Sequence, residues 1–242
     1  MQVLYRGKMS MKIVVVYGTE HKGSTYNIVQ LFLENLLVTE ENLTEIFLPR
    51  DMPNFCCGCG NCFMKGEEFC PHNEKVTPIK EAMGNADLII LASPVYVLHV
   101  TGQMKTFLDH FAFQFMVHRP SKAMFSKTAL VITTAAGGGI KSTIKDITMS
   151  LTHWGVGKIF TYGKAVAAID WQGVSDKKKK QIKQDVDKLS VKIKEQYQHV
   201  TPSFKVKALF YIMRFIQKKF EFNPTDRKYW EQQDWIEKER PW

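Results

Sequence analysis

The sequence lacks any run of about 20 consecutive apolar residues, which is the length that a membrane-spanning helix requires. Its first residues also lack the basic, apolar and small-residue order of an export signal. Apolar residues nevertheless make up 45% of the 242 residues, so the chain can bury enough surface to offset the entropy of ordering it. We therefore expect a folded, soluble and cytoplasmic protein.

Cysteine is scarce, and its distribution is uneven. There are only five cysteines, and all lie between Cys56 and Cys70. A secreted disulfide scaffold would distribute its cysteines along the chain in order to join distant segments. The crowding instead indicates metal, cluster or redox chemistry in a reducing compartment.

The excess of positive over negative charge is confined to one region. The formal net charge is +9, and residues 176–220 hold 13 Lys and Arg against 4 Asp and Glu, so the rest of the chain is neutral. We interpret the basic region, including the Lys177–Lys180 run, as the solvated face of helices. The alternative is binding to nucleic acid or to an anionic membrane, which would weaken steeply with added salt.

From Met11 onward, apolar runs alternate with amphipathic stretches. Five strands are predicted where β-branched and other apolar residues run together: Lys12–Tyr17, Leu43–Leu48, Ala86–Ser93, Thr128–Thr133 and Lys158–Val166. Helices are predicted at Ser24–Leu37, Val76–Met83, Gly102–Phe115, residues 141–151 and Ser175–Gln198. Strands separated by helices favour right-handed crossovers and a parallel sheet. The predicted fold is α/β, a flavodoxin-like doubly wound five-stranded sheet of order 2-1-3-4-5.

The chain divides into three predicted parts. Residues 1–10 are an N-terminal extension, residues 11–200 form the flavodoxin-like domain, and residues 201–242 hold an amphipathic helix and a Trp-rich tail. One face of the helix predicted at Lys205–Phe222 is apolar, and its members are Leu209, Ile212, Met213, Ile216 and Phe220. Three of the five tryptophans lie in the last twenty residues. We expect this part to pack on its own subunit or to form an oligomer contact, as in a homodimer.

The loop Gly18–Thr25 joins the first strand to the first helix. Such a junction offers free backbone N–H groups and the positive end of a helix dipole, which together bind phosphate. Ser24 stands where the nucleotide P-loop requires Lys, and the dinucleotide fingerprint G-x-G-x-x-G is absent. The hydroxyl groups of this loop therefore favour a phosphate monoester. An ordinary helix N-cap at Ser24 is the alternative.

Two further loops lie at the same predicted edge of the sheet. Ser93–Val100 follows the third strand and presents an apolar and aromatic surface, as a planar aromatic cofactor requires. Thr133–Gly139 follows the fourth strand, and its small residues let the backbone approach a ligand closely. A buried turn and a flexible connection are the respective alternatives.

Together, the segments GTEHKGST, SPVY, GQMKTFLDH and TTAAGGG resemble the NADPH-dependent FMN reductases of the flavodoxin superfamily over Met11 to about His199. The resemblance implies that FMN is the cofactor and NAD(P)H the co-substrate. It also implies that the first loop holds the phosphate, the second lines the isoalloxazine ring and the third meets its pyrimidine edge. The candidate cofactor-binding residues are Thr19, His21, Gly23, Ser24, Thr25, Pro94, Val95, Tyr96, Val97, Thr134, Ala135, Ala136, Gly137 and Gly138. His21 stands where relatives commonly have Arg, which is the stronger phosphate partner.

The cysteine loop contains the spacing C-x2-C-x2-C-x7-C, formed by Cys56, Cys59, Cys62 and Cys70. Two-residue spacers let successive thiolates face one cluster, as in ferredoxins. The iron–sulfur flavoproteins, a similar-looking branch of the family, use such a pattern for a [4Fe-4S] cluster. A zinc site is a less natural interpretation, because zinc motifs separate two pairs by a longer loop. Free or disulfide-forming thiols are a further alternative.

Among the histidines, His99 follows the predicted flavin wall and is a candidate proton donor. His110, His118 and His153 show no metal-ligand spacing. The sequence therefore predicts an FMN-dependent NAD(P)H oxidoreductase that passes electrons to a small-molecule or protein acceptor. The alternative is a flavin-binding electron-transfer protein without its own substrate.

Overall fold

The computed structural model describes residues 11–220 and 223–242, so the predicted N-terminal extension lies outside the described residues. Five parallel strands form one sheet of order β2-β1-β3-β4-β5. The strands are β1 Ile13–Tyr17, β2 Leu43–Phe47, β3 Leu88–Ala92, β4 Thr128–Ala135 and β5 Lys158–Ala165. The predicted strands and the order of the sheet are confirmed.

The central strands are buried along their whole length. β1 reads IVVVY and β3 reads LIILA, and every residue of both strands is buried. Ile13 lies opposite Leu43 on one side and Leu88 on the other, so that β1 is hydrogen-bonded along both edges. Because helices cover both faces, these strands lack the polar alternation of a half-exposed sheet.

Eight α-helices connect and flank the strands among the described residues: α1 Ser24–Leu36, α2 Asn61–Met64, α3 Asn73–Asn85, α4 Gly102–His110, α5 Ile140–His153, α6 Asp176–Gln196, α7 Phe204–Lys219 and α8 Pro224–Gln232. α1 and α6 pack on one face of the sheet, and α3, α4 and α5 pack on the other. The predicted helix Gly102–Phe115 ends earlier, at His110, and a short 3-10 turn follows at Ala112–Gln114. α2 and α8 were not predicted.

The C-terminal part has a small core of its own. Trp230 and Trp235 are buried there, together with Phe210 and Phe125. The ring centroids of Phe210 and Trp230 lie 5.2 Å apart in a stacked arrangement. The tail thus packs on its own subunit, which is one of the two predicted outcomes.

The buried face of α7 differs from the predicted one. Val206, Phe210 and Gln217 are buried, whereas Ile212 is 54% exposed. The shift follows from Gln217, whose Nε2 donates to the backbone oxygen of Val117 at 2.7 Å and so turns this polar residue inward. The end of the helix predicted at Lys205–Phe222 lies outside the described residues. The oligomer contact of residues 201–242 stays a prediction.

Within the described residues, no helix combines the length and the apolar character that crossing a lipid bilayer requires.

Candidate functional site

A cavity of about 190 Å³ opens at the carboxyl edge of the sheet. It lies where ligands bind in doubly wound sheets, beyond the ends of the strands. Eleven of the fourteen predicted cofactor residues line it: Thr19, His21, Gly23, Ser24, Thr25, Pro94, Val95, Tyr96, Thr134, Ala135 and Ala136. The structure thus brings the three predicted loops together at one site.

The N-terminus of α1 faces this cavity with its donors free. Gly23 is the N-cap residue, no side chain caps the helix, and the first turn holds no acidic residue. The Oγ atom of Ser24 is buried and has no hydrogen-bond partner among the described residues. A Cβ atom at Gly23 would lie 2.8 Å from the ring of His21, so the ring packs closely against the loop. Free N–H groups and an unpartnered hydroxyl are the donors that a phosphate requires.

Hydrogen bonds hold this loop to the rest of the sheet edge. The Oγ1 atoms of Thr25 and Thr134 lie 2.7 Å apart, which joins α1 to the end of β4. Thr101 Oγ1 donates to the backbone oxygen of Gly18 at 2.6 Å. A Cβ atom at Gly18 would lie 2.8 Å from that hydroxyl oxygen, so only glycine fits. These contacts fix the position of the loop Gly18–Thr25 against the ends of the neighbouring strands.

The apolar wall turns sharply after Tyr96. Tyr96 and His99 exchange two backbone hydrogen bonds, of 2.9 and 3.0 Å, across a tight turn. Val97 and Leu98, at the tip, have positive φ values of 48° and 66°, which are strained for apolar residues with a Cβ atom. Val97 is 95% exposed and does not line the cavity. Three of the four residues predicted for the flavin wall therefore line the cavity, and the role of Val97 stays a prediction.

Other predicted site residues also lie away from the cavity. Gly137 and Gly138 do not line it. The Nδ1 atom of His99 lies 2.8 Å from an Asp146 carboxylate oxygen, on a separate groove of about 410 Å³ between α4 and α5. The role of His99 as a proton donor stays a prediction.

Sequence reasoning missed one side of the cavity. Val166, Ala168 and Ile169, which follow β5, line it as well. The available signal was the strand order, because the loop after the fifth strand must emerge beside the loop after the fourth.

All five cysteines line a second cavity, of about 250 Å³. Cys56, Cys57 and Cys59 are exposed, and the other two are half-buried. Burial raises the pKa of the Cys62 thiol, the neighbouring thiols of Cys70, Cys56 and Cys59 raise it further, and Arg119 opposes the change. Several thiolates in this loop would repel one another. A cationic or metal-containing ligand would offset that repulsion.

The spacing of the thiols argues against zinc bound by cysteines alone. Within the part of the chain that the structure describes, no three cysteine sulfurs lie within 4.8 Å of one another. Zn–S bonds of about 2.3 Å would bring tetrahedral thiolates to about 3.8 Å. A cluster places its own iron and sulfide between the thiolates, so it accepts a wider ring of ligands.

The structure gathers two histidines beside this loop. The ligand atoms of Cys70, His72 and His110 all lie within 4.8 Å of one another. His110 had shown no metal-ligand spacing, because it lies at the end of α4, far along the chain from Cys70. The spacing of Cys70 and His72, with one residue between them, was the signal available in the sequence.

The cysteine-bearing helix α2 is held by the C-terminal segment. A helix of four residues cannot satisfy its own last carbonyl groups. Asn223 Nδ2 donates to the oxygen of Phe63 at 2.9 Å, and Thr225 Oγ1 donates to the oxygen of Met64 at 2.9 Å. Arg119 donates to the oxygen of Cys62. Residues distant in sequence thus complete the helix that carries a thiol.

Arg119 itself is anchored by a buried ion pair. Its guanidinium pairs with Asp226 of α8, and the side chains of these two residues are 6% and 2% exposed. His118 Nδ1 donates to the other oxygen of Asp226 at 2.7 Å. Glu67 lies 3.4 Å from Arg119 and is also bound by Lys80 at 2.8 Å. We call Arg119, Asp226 and His118 the C-terminal brace.

The fold, the sheet-edge cavity and the cysteine cavity define a flavodoxin-like protein with an uncapped helix N-terminus at the sheet edge and a loop that carries five cysteines. The model of one family, NADPH-dependent FMN reductase, matches residues 11–172. The chain belongs to this family, as its sequence pattern implied.

Curated relatives carry the name iron–sulfur flavoprotein. One from Archaeoglobus fulgidus is 36% identical over 100 residues, which are 41% of this chain and 44% of that protein. One from Methanosarcina thermophila is 30% identical over 142 residues, covering 57% of this chain and 71% of that protein. A relative from Methanocaldococcus jannaschii matches over 50% of its length. The chain thus spans about half of the length of two of these proteins.

Solved structures share the fold. The NAD(P)H:quinone oxidoreductase from Methanothermobacter marburgensis aligns with a TM-score of 0.59 and 13% identity, over 76% of this chain and 98% of that one. An FMN-dependent NADH-azoreductase from Bacillus anthracis aligns with a TM-score of 0.55 and 14% identity, over 74% and 99%. At these identities the likeness concerns the fold alone.

Proposed function

We propose that this protein binds FMN and transfers electrons from NAD(P)H to an acceptor. The observation that carries the proposal is the N-terminus of α1, where the unpartnered Ser24 Oγ and the uncapped backbone N–H groups meet beside an open cavity. The bound FMN would accept hydride from the nicotinamide and pass electrons on, and the protein would supply position and electrostatics.

Each wall of the cavity has a role in this proposal. Thr19 and Ser24 would donate hydroxyl hydrogen bonds to the phosphate, and Thr25 would do so if it accepts the hydrogen bond from Thr134. The exposed His21 lies on the same loop. Pro94, Val95 and Tyr96 form the apolar wall for the ring, and Thr134, Ala135 and Ala136 approach its polar edge. The loop after β5, which holds Val166, Ala168 and Ile169, closes the opposite side.

Two classes of electron acceptor are compatible with this cavity: a small planar molecule and a protein. Solved structures of similar fold are named for quinone and azo reduction, which supports a small planar acceptor at the open side of the cavity. A protein acceptor is the other class. An electron-transfer protein without its own substrate remains the second candidate function, and it would bind FMN without reacting rapidly with NADPH.

We further propose that Cys56, Cys59, Cys62 and Cys70 hold a [4Fe-4S] cluster. The common cavity, the wide spacing of the thiols and the names of the curated relatives support it. Gly58 and Gly60 have φ values of 65° and 71°, and nothing lies within 4 Å of a Cβ atom at either position. These glycines therefore serve the tight backbone between the thiols rather than close packing.

FMN binding and hydride transfer are tested together. Purified protein is reconstituted with FMN, freed of excess flavin and mixed with NADPH without oxygen. We expect one flavin per chain and rapid bleaching of the flavin absorption. Flavin retention without bleaching would favour the electron-transfer protein, and a protein that takes up no FMN would contradict both.

The cluster is tested by anaerobic reconstitution with iron and sulfide. The parent and Cys57→Ser should each take up about four iron atoms per chain, because Cys57 lies outside the proposed set. Cys59→Ser should lose most of the iron and sulfide and the broad visible absorption. Equal uptake by Cys59→Ser and the parent would contradict the proposed ligands.

A further inference from the structure

We propose that Cys70, His72 and His110 form a binding site for a single divalent metal ion such as Zn²⁺. This site goes beyond the proposed flavin and cluster chemistry. It has three protein ligands and one position open to water.

The position of the three side chains is the first argument. Their ligand atoms lie within 4.8 Å of one another, although His110 ends α4 and the other two lie just before α3. Bond lengths of about 2.0–2.3 Å around zinc require ligand atoms about 3.5 Å apart. Small side-chain rotations therefore suffice to close the site around an ion.

The hydrogen bonds of the two histidines are the second argument. His110 is 4% exposed, and its Nε2 lies 2.9 Å from the backbone oxygen of Asn54. Because a carbonyl oxygen only accepts, Nε2 carries the proton, and the lone pair of Nδ1 is left available. A histidine ligand commonly donates its other N–H to a backbone carbonyl in this way.

His72 supplies an unsatisfied nitrogen. Its Nδ1 atom is buried and has no hydrogen-bond partner among the described residues. The ring centroids of His72 and His110 lie 5.2 Å apart in an edge-to-face arrangement, so the two rings are direct neighbours. An unpartnered buried nitrogen is costly, and coordination to a metal would satisfy it.

The donor set selects the ion. One thiolate and two imidazoles suit zinc and similar divalent ions, whereas magnesium and calcium prefer oxygen ligands. No fourth Cys, His, Asp or Glu of the described residues lies within the same 4.8 Å. The remaining position therefore belongs to water, an arrangement known from zinc sites with an open coordination position.

Cys70 belongs both to this site and to the proposed cluster. One sulfur cannot serve the mononuclear ion and the four-cysteine cluster in their separate geometries. We therefore expect zinc and the cluster to exclude each other, so that zinc bound at this site slows cluster assembly.

The test uses the full chain, stripped of iron and kept reduced. Zn²⁺ is titrated against a chromophoric chelator, and Co²⁺ reports tetrahedral coordination through its visible absorption. The parent should bind one equivalent. Loss of an outer-shell partner costs about 10- to 100-fold in metal affinity, so loss of the ligand in His72→Ala should weaken Zn²⁺ binding at least about tenfold. Cys57→Ser and Cys59→Ser should stay within about threefold of the parent.

His110→Gln is the second variant. The side-chain amide of the new glutamine can still donate a hydrogen bond to the backbone oxygen of Asn54. It should weaken Zn²⁺ binding as His72→Ala does. If this buried change prevents folding, which circular dichroism detects, the half-buried His72 decides the question. Loss of zinc binding in Cys59→Ser with no loss in His72→Ala would assign zinc to the cysteine set and overturn the proposal. A parent that binds no stoichiometric Zn²⁺ would overturn it as well.

Measuring cluster assembly with and without Zn²⁺ tests the zinc site and the proposed cluster separately. Preloading with Zn²⁺ should slow iron and sulfide uptake at least about tenfold in the parent and leave it unchanged in His72→Ala. If the parent takes up no iron and sulfide at all, the proposed cluster fails, and the zinc titration still decides the present site. Uptake that is equally fast with and without Zn²⁺ would overturn the shared use of Cys70.

Discussion

The sheet-edge cavity and the cysteine cavity are built in different ways. The sheet-edge cavity is formed by loops that leave the ends of parallel strands. A hydrogen bond between the hydroxyls of Thr25 and Thr134 joins α1 to the end of β4 there. The cysteine cavity lies on a long connection that holds one short α-helix, α2, and a 3-10 turn at Glu67–Phe69. Side chains from the C-terminal segment bind the last carbonyl groups of α2. The sheet-edge cavity is thus held by the sheet and its own loops, whereas the cysteine loop is held by contacts from the C-terminal segment.

This difference predicts that the two sites fail independently. The brace pairs Arg119 with Asp226, and these residues are 107 positions apart in the sequence. No part of it touches the loop Gly18–Thr25 in any described contact. Loss of the brace should therefore make the cysteine loop more mobile and leave the sheet-edge cavity unchanged.

The largest effect is expected from Asp226→Asn. The change removes the buried carboxylate that pairs with Arg119 and leaves Glu67, 3.4 Å away, as its remaining acidic neighbour. Breaking a buried ion pair costs about 3–5 kcal/mol. Urea unfolding should show that loss in the free energy of unfolding. Hydrogen exchange should increase most in residues 60–66, because Arg119 then holds the carbonyl of Cys62 less firmly.

Glu231→Gln is the matched control for that change. Glu231 lies on the same helix and is paired with Arg227 at 2.7 Å, but its side chain is 53% exposed. An exposed pair of this kind contributes about 0–1 kcal/mol. Similar losses in both variants, or exchange that rises equally in the loop after β1, would contradict the proposed role of the brace.

The second effect concerns the other cavity. Ser24→Ala removes the unpartnered buried hydroxyl at the N-terminus of α1. A hydrogen bond to a charged group contributes about 1.5–3 kcal/mol, so FMN affinity should fall about 10- to 100-fold. Fluorescence titration of FMN measures this directly, and zinc binding should not change.

Ser175→Ala serves as the control for Ser24→Ala. Ser175 stands at the N-terminus of α6, is exposed and makes no side-chain cap. It should leave FMN affinity unchanged. If Ser24→Ala binds FMN as the parent does, the phosphate does not use this hydroxyl, and the proposed binding mode is wrong.

The sheet and its carboxyl edge could be predicted because their signals are local. Apolar runs such as those of β1 and β3 identify buried strands without reference to distant residues. The order of strands and helices then determines which loops share an edge. The same reasoning missed the loop after β5, because Val166 and Ile169 carry no motif of their own.

The cysteine site could be predicted only in part. The spacing of the cysteines marked the loop, since thiol ligands of one cluster recur at short intervals. The neighbouring His110 and the brace could not be found in this way, because they meet the loop only through tertiary contacts. Asp226 in particular reads as an ordinary first-turn acid of α8 until its partner Arg119 is known.

The smallest effect is expected at Tyr229, which lies beside the brace. Its hydroxyl donates to the backbone oxygen of Pro120 at 2.7 Å. Burial, aided by Glu67, raises the pKa of Tyr229 from 10.0 to about 12. Tyr229→Phe removes one hydrogen bond and should lower the free energy of unfolding by about 1 kcal/mol near pH 7.

The pH dependence of the free energy of unfolding distinguishes Tyr229→Phe from the parent. Above pH 10 the phenol of Tyr229 ionises in the unfolded chain while the folded protein keeps it neutral up to about pH 12. The parent therefore loses stability from this group as the pH rises through that interval, and Tyr229→Phe does not. Urea unfolding at pH 7, 9 and 10.5 should show a difference between the two proteins that is constant at first and then shrinks. Other buried tyrosines contribute equally to both proteins and cancel. A difference that grows above pH 10 would mean that the folded protein stabilises the ionised phenol, and the brace would then be more open to water than its buried ion pair indicates.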